Sequence, residues 1–215
     1  MLRTVKLLGV VQCLCFVHEA VGQSEKKDDD VEHRVRGTYM AVSTNLKTRE
    51  RTNCVCELTA NHDVVVDGKP WGKWDTKKTS VVLLPDDKDQ AEFELRFKTK
   101  TLLIGMGESK KGQKISWEMD RVYLVAVWEH QAGNGKPGEI RLWSNGRVGR
   151  PDGRATWKMN PKDASLVLKW PEGWIDTCKI SSDGKRYEGR NQNGTLISGK
   201  LISKGELEES TKDSL

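Results

Sequence analysis

The feature that most constrains the fold is a series of short β-forming runs separated by glycine turns. The runs between residues 37 and 202 are YMAVST, NCVCELT, SVVLLP, AEFELRF, TLLIGM, KISWEM, YLVAVWE, EIRLWS, ATWKM, SLVLKW, IDTCKI and TLISGKLI. The segments between them include VDGK, SNGR, PDGR, SSDGK and NQNGT, whose Asn-Gly and Asp-Gly pairs suit tight hairpin turns. No window sustains the apolar period of a helix. This pattern predicts an all-β antiparallel meander of roughly 10 to 13 short strands, closed as a barrel or packed as a sandwich.

The strand pattern also recurs along the chain, at an offset of about 84 residues. TLLIGMGESKKGQKISWEM has the same plan as RYEGRNQNGTLISGKLI, with Gly105 answering to Gly189. The strand around Trp74 answers in the same way to the strand around Trp157. We therefore predict one β domain, residues 37–202, made of two copies at 37–120 and 121–202. One copy alone would struggle to bury its apolar face.

The N-terminal residues 1–22 have the pattern of a signal peptide. Arg3 and Lys6 precede an apolar run from Leu7 to Val17, and Ala20-Val21-Gly22 supplies small residues at the end. The apolar run is about half of the roughly 20 residues that a membrane-spanning helix needs, which favours cleavage after Gly22. The sequence thus predicts an extracytoplasmic protein, secreted or periplasmic, with no membrane span.

The segments on either side of the β domain are almost wholly polar. Residues 23–36 read QSEKKDDDVEHRVR and residues 203–215 read SKGELEESTKDSL. Both are predicted to be polar tails. In the body of the chain basic residues alternate with acidic ones, and the net charge is only +5. This balance predicts a solvated mixed surface with no nucleic-acid partner.

Three cysteines follow the predicted signal peptide: Cys54, Cys56 and Cys178. Cys54 and Cys56 are two apart on a predicted strand, so their Cα atoms lie about 6.6 Å apart and a mutual bond would strain the strand. A disulfide between Cys178 and either Cys54 or Cys56 is the remaining pairing, and it leaves one thiol over. A metal site at Cys54, Cys56 and His62 has the wrong ligand spacing, so no metal and no cofactor are predicted.

Tryptophan is unusually abundant, with eight residues against three tyrosines and three phenylalanines. Most of them are expected to fill the interior, and the alternative is a stacking platform for sugar rings or an apolar ligand. Trp170 and Trp174 flank the turn PEG, which favours partial exposure. Strand alternation in EIRLWSN places Trp143 and Asn145 on the face opposite Ile140.

Asn191 and Gln192 precede the Asn193-Gly194 pair, where a hairpin turn is predicted. Their amides would alternatively line a sugar or small-ligand site beside the tryptophans. The candidate ligand-binding residues are therefore Trp143, Asn145, Trp170, Trp174, Asn191 and Gln192. Asn193-Gly194-Thr195 is also a glycosylation sequon, which matters only in a eukaryote.

The sequence contains no motif that is typical of an enzyme active site. The chain has no GxSxG, HExxH or phosphate-binding loop, and no catalytic residue is predicted. The sequence favours a non-catalytic binding or interaction module for a carbohydrate, an apolar small molecule or a protein. One alternative is a secreted hydrolase with paired carboxylates such as Asp120, Asp176 and Glu188. A structural envelope protein is the other alternative.

The second half of the β domain resembles a recurring type of small secreted β-meander protein of planctomycete bacteria, itself uncharacterised. The resemblance is carried by DGR-x-x-W and by LVLKWPEGWIDTCKISSDGKRYEGRNQNGTLISGKL, and it covers residues 121–202. In the first half SKKGQ stands where the Asn-Gly turn would be. The resemblance implies a signal peptide and a β fold, and it implies no activity and no site residues.

Overall fold

The computed structural model describes residues 26–90 and 92–205, which form one helix and fifteen antiparallel strands. The helix is α1 (Lys26–Val35). The first eight strands are β1 (Gly37–Asn45), β2 (Arg51–Leu58), β3 (Asp63–Val66), β4 (Lys69–Lys77), β5 (Ser80–Pro85), β6 (Phe93–Phe97), β7 (Leu102–Glu108) and β8 (Lys114–Val122). The remaining seven are β9 (Leu124–Ala132), β10 (Gly138–Trp143), β11 (Thr156–Asn160), β12 (Ser165–Lys169), β13 (Ile175–Ile180), β14 (Arg186–Asn191) and β15 (Leu196–Lys204). The all-β meander is confirmed.

Strands β1 to β8 close into a barrel. Each strand pairs with its neighbour in sequence, and β8 pairs with β1 in a register that sets Thr38 opposite Val122. Alternate side chains of every strand point inward and fill the barrel. Trp71, Phe93 and Trp117 form an aromatic cluster there, with ring centroids 5.6 to 6.1 Å apart. The interior is therefore a packed core.

Helix α1 corrects the expectation that residues 23–36 are a polar tail. Val31 and Val35 are spaced by four residues, so they share one helix face, and both pack against the barrel core. The Tyr39 hydroxyl donates to the Val35 carbonyl oxygen at 2.6 Å, and the Arg121 guanidinium donates to the Arg34 carbonyl at 2.9 Å. The helix thus lies across the barrel end where β1 begins and β8 finishes.

Strands β9 to β15 form a second, seven-stranded sheet in the order β10-β9-β15-β14-β13-β12-β11. Strand β15 pairs with β9 as β8 pairs with β1. Between the outer strands β10 and β11, residues 147–148 make two isolated bridges, Leu142 to Val148 and Arg147 to Thr156. This short connection, the seam, takes the place that β3 has in the barrel. The strand order is then the same in both parts, although the duplication itself stays a prediction.

The two parts have separate cores. One cluster of buried residues lies inside the barrel, and another lies on the inner face of the second sheet, around Trp128, Leu168 and Tyr187. The predicted domain 37–202 therefore contains two cores. Gly105 and Gly189 occupy like positions in them, since each lies against the backbone of the preceding strand, opposite Leu95 and Cys178 respectively.

The predicted disulfide is not formed. Cys54, Cys56 and Cys178 are all free and buried, with the first two in the barrel core and Cys178 in the core of the second sheet. Burial in apolar surroundings, together with the nearby Asp67, raises the pKa of Cys54 to about 11.

The predicted signal peptide, residues 1–22, lies outside the described residues, as does most of the predicted C-terminal tail, since β15 continues to Lys204. Within the described ranges, no helix has the length and apolar character needed to cross a membrane.

Candidate functional site

A cluster of polar side chains lies on the inner face of the second sheet, at positions that are apolar in the barrel. In the barrel, the register sets Ala41, Met119 and Leu103 side by side on β1, β8 and β7. The matching row on β9, β15 and β14 is His130, Gly199 and Tyr187. The second sheet therefore carries an imidazole and a phenol where the barrel carries aliphatic groups.

Asp176 on β13 and Trp170, just after β12, complete this polar cluster. The Tyr187 hydroxyl lies 2.7 Å from His130 Nδ1, and His130 Nε2 lies 3.6 Å from Asp176 Oδ2. Trp170 Nε1–H donates to the same Asp176 oxygen at 2.6 Å. Asp176 is 3% exposed and Tyr187 is 1% exposed. Because buried polar groups need partners, this chain of contacts keeps each member satisfied.

The charge state of the polar cluster follows from its burial. Burial lowers the pKa of His130 below its ordinary value, and the neighbouring Asp176 carboxyl only partly opposes this shift. A neutral imidazole fits the contacts, with Nδ1 accepting from the Tyr187 hydroxyl and Nε2–H directed at Asp176. Burial also raises the pKa of Tyr187 well above that of a free phenol, with added contributions from Cys178 and Asp176.

Neither Tyr187 nor the neighbouring Cys178 is an activated nucleophile. Burial, with Asp176 nearby, raises the pKa of Cys178 to about 12, so its thiol stays protonated at neutral pH. Tyr187 likewise stays a phenol, because its pKa is raised. Nucleophilic catalysis needs the opposite shift. We therefore interpret the polar cluster as a hydrogen-bonded support for the turn that follows β12.

That turn, residues 170–174, is held from two directions. Within it, Trp170 N–H donates to the Trp174 carbonyl at 2.8 Å. From the neighbouring hairpin, Gln192 Oε1 accepts from Ile175 N–H at 2.7 Å, and Gln192 Nε2 donates to the Gly173 carbonyl at 3.1 Å. Gln192, predicted as a ligand contact, thus links two turns at one end of the sheet.

Asn191 supports the hairpin between β14 and β15. Its Oδ1 accepts from the backbone N–H groups of Asn193 at 3.0 Å and Thr195 at 2.9 Å. Gly194 has a φ of +83°, which glycine adopts without a Cβ penalty. The predicted hairpin at Asn193-Gly194 is therefore confirmed, and the Asn191 amide oxygen is engaged within it.

Apolar side chains are exposed at the same end of the second sheet. Trp174 is 43% exposed, Ile175 38% and Leu196 61%. Ile175 begins β13 and Leu196 begins β15, so one strand, β14, separates them by about 10 Å in total. We call these three residues the Trp174 surface. It is a rigid and partly apolar face, because the turn beneath it is held by Gln192 and by the polar cluster.

The other two predicted ligand residues lie at the far end of β10. Trp143 Nε1–H donates to the Gly149 carbonyl at 2.9 Å, and Asn145 Nδ2 donates to the Pro151 carbonyl at 2.9 Å. Both side chains therefore pin the segment that follows β10. Of the six candidates, the structure gathers Trp170, Trp174, Asn191 and Gln192 at one end and leaves these two apart.

The acidic residues considered for a hydrolase do not share a cleft. Asp176 points into the second core, whereas Glu188 is exposed on the outer face of the adjacent β14. Asp120 is exposed on β8 of the barrel. Among the described residues, no group of three or more His, Cys, Asp or Glu side chains is placed to hold a metal ion.

No protein-family model matches this chain, and no curated protein matches its sequence.

Proposed function

We propose that the protein is an extracytoplasmic, non-catalytic binding module whose contact surface is the Trp174 surface. The observation that carries this proposal is the exposure of Trp174, Ile175 and Leu196 together at one end of the second sheet. Large apolar side chains grouped on a surface are typical of contact sites.

The hydrogen bonds that hold the turn below Trp174 favour a role for this exposed side chain in ligand binding. Trp174 belongs to a turn whose backbone is held by Gln192 and whose first residue, Trp170, is bound to the buried Asp176. A rigid aromatic side chain loses little conformational entropy when a ligand covers it. The cores of both parts are filled by their own side chains, which favours an external contact surface over a ligand inside the barrel.

The chemistry of the surface favours a ligand with a flat apolar face. An indole stacks on the C–H face of a sugar ring, and the exposed Ile175 and Leu196 at the same end of the sheet add apolar surface. The predicted signal peptide at residues 1–22 supports a site of action outside the cytoplasm, where glycans are accessible ligands. A carbohydrate is therefore the first ligand class to test, ahead of an apolar small molecule or a protein.

The test is a titration with soluble oligosaccharides. We expect at least one of the cello-, malto-, xylo- and chito-oligosaccharides to bind, as measured by calorimetry. Trp174→Ala should weaken this binding by about tenfold or more, since each 1.4 kcal/mol of lost contact is a factor of about ten. The matched control is Met106→Ala, which removes an apolar side chain that is 63% exposed on barrel strand β7.

The outcomes separate the possibilities clearly. Binding that falls in Trp174→Ala and is unchanged in Met106→Ala supports the proposal. Binding that both variants keep at full strength would place the site elsewhere and refute the role of Trp174. Failure of all four oligosaccharide series to bind would refute a carbohydrate ligand of these classes.

A further inference from the structure

The positive charge of the chain is concentrated in one short segment. Residues 141–158 contain five basic residues and one acidic residue, Asp152, while the whole chain has a net charge of +5. The basic residues are Arg141, Arg147, Arg150, Arg154 and Lys158. The mixed charge expected from the alternating basic and acidic residues therefore does not describe this part of the surface.

The strand register places three of these basic residues on one outer face. Leu142, Val148 and Ala155 are buried, so their neighbours Arg141, Arg147 and Thr156 point outward. Lys158, two residues after Thr156 on β11, is on the same face and exposed. Three adjacent chain segments, β10, the seam and β11, carry these side chains, and they span about 10 Å at the usual strand spacing.

An aromatic side chain lies within this basic face. Trp143 is half-buried and stands opposite Arg147 across the tight turn 144–146, because Trp143 N–H donates to the Arg147 carbonyl at 2.9 Å. Side chains at directly opposed positions of an antiparallel pair lie about 5 Å apart. Arg154 is exposed and directly precedes Ala155, whose carbonyl accepts from Val148 N–H of the seam at 3.0 Å. Trp143 and Arg147 therefore form one composite surface, and with Arg141, Arg154 and Lys158 we call it the Trp143 face.

The face is built to be rigid. Trp143 Nε1–H binds the Gly149 carbonyl, Asn145 Nδ2 binds the Pro151 carbonyl, and Trp157 Nε1–H binds the Trp143 carbonyl, each at 2.9 Å. These bonds fix the segment at three points. The basic side chains thus project from a fixed backbone, which lowers the entropic cost of binding.

Among the described residues, much of the positive charge on this face is not neutralised by ion pairs. Arg141 pairs with Glu139 at 2.9 Å, and Arg150 pairs with Asp152 at 3.1 Å. Within residues 26–90 and 92–205, no carboxylate forms an ion pair with Arg147, Arg154 or Lys158. A group of cations beside an indole attracts a ligand with regularly spaced anionic groups and ring faces.

We propose that the Trp143 face binds an anionic polysaccharide. Sulfate or uronate groups would pair with Arg147, Arg154 and Lys158, and a sugar ring would lie against Trp143. Charge complementarity and the adjacent aromatic ring select this occupant. The predicted export of the chain favours a polysaccharide over a nucleic acid, which offers the same combination of anions and rings. The Trp143 face is separate from the Trp174 surface and shares no residue with it.

The experiment uses heparin as the sulfated probe, immobilised for surface plasmon resonance at about 50 mM and about 150 mM NaCl. We expect binding that weakens steeply with salt. Arg147→Gln combined with Lys158→Gln should reduce the affinity by about tenfold or more, since two ionic contacts are lost. The matched control is Arg51→Gln combined with Lys69→Gln. It removes the same charge from exposed positions of β2 and β4 in the barrel, and it should change the affinity by less than about threefold. Thermal unfolding of both variants verifies that each is folded.

Three results would overturn the proposal. Equal losses in the two double variants would mean that net charge alone attracts heparin. No measurable binding at about 50 mM NaCl would exclude the sulfated probe, because ionic contacts are strongest at low salt. A DNA oligonucleotide that binds more tightly than heparin, with the same dependence on Arg147 and Lys158, would reassign the face to nucleic acid.

Discussion

In the second sheet, Gly199 on β15 lies directly against the ring of Tyr187 on β14. A Cβ atom added at Gly199 would lie 2.1 Å from Tyr187 Cζ, 2.3 Å from Cε1 and 2.6 Å from the hydroxyl oxygen. These distances are far below van der Waals contact. Replacing Gly199 with alanine therefore forces the ring to move.

Two costs follow from this displacement. Overpacking a well-filled core destabilises a protein by about 1 to 3 kcal/mol. A shifted Tyr187 also loses its hydrogen bond to His130 Nδ1, and leaving a buried polar atom unpaired costs about 1 to 3 kcal/mol. We expect Gly199→Ala to lower the free energy of unfolding by roughly 2 to 6 kcal/mol, a large share of the total for a small domain.

Urea unfolding followed by tryptophan fluorescence measures this change, because Trp128 lies 4.9 Å from Tyr187 by ring centroids. A double-mutant cycle with Tyr187→Leu isolates the contact. Leucine removes the ring, so Gly199→Ala should cost much less in the Tyr187→Leu background than in the parent. Additive effects of the two substitutions, or a loss below about 1 kcal/mol for Gly199→Ala, would refute the packing argument.

Three further predictions concern other buried groups. Because burial lowers the pKa of His130, the unfolded chain gains a proton at a higher pH than the folded chain, and stability falls as the pH drops below about 6.5. His130→Asn should lose that share of the pH dependence in urea unfolding, and an unchanged slope would contradict it. Val35 is fully buried, so Val35→Ala should cost about 1 to 3 kcal/mol by thermal unfolding, while the exposed His33→Ala should cost almost nothing. The buried thiols, with the pKa of Cys54 near 11 and that of Cys178 near 12, should resist iodoacetamide in the native state. Denaturation without reductant should expose three alkylatable thiols after residue 22, and only one would indicate the disulfide.

Most strands were predictable because their signals are local. SVVLLP and IDTCKI match β5 and β13 residue for residue, since alternation and flanking turns mark their ends. Strand β3 has only four residues and was absent from the predicted runs, whereas β14 was expected as the strand that precedes the Asn193-Gly194 turn. The helix α1 had one weak signal, the spacing of Val31 and Val35 in an otherwise polar run.

Local sequence patterns could not predict the polar cluster. Asp176 has the same strand parity as Cys178, which indicates an inward side chain, but its partners lie on other strands. The contact between His130 and Tyr187 depends on Gly199 lying between them in the register. Only the three-dimensional pairing of β9, β15 and β14 brings these residues together. The turn-supporting role of Gln192 likewise depends on a neighbouring hairpin.

Closure of the barrel has a consequence for which part of the chain can be expressed as a fragment. Strand β8 returns to β1, so the ladder of β1 to β8 is complete without any strand after Val122. Within residues 26–90 and 92–205, the buried cluster of the barrel includes none beyond Met119, and helix α1 contributes Val35 to it. We therefore expect a fragment that ends near Val122 to fold on its own. Calorimetry of the whole chain should then resolve two unfolding units, with the heat capacity change divided between them.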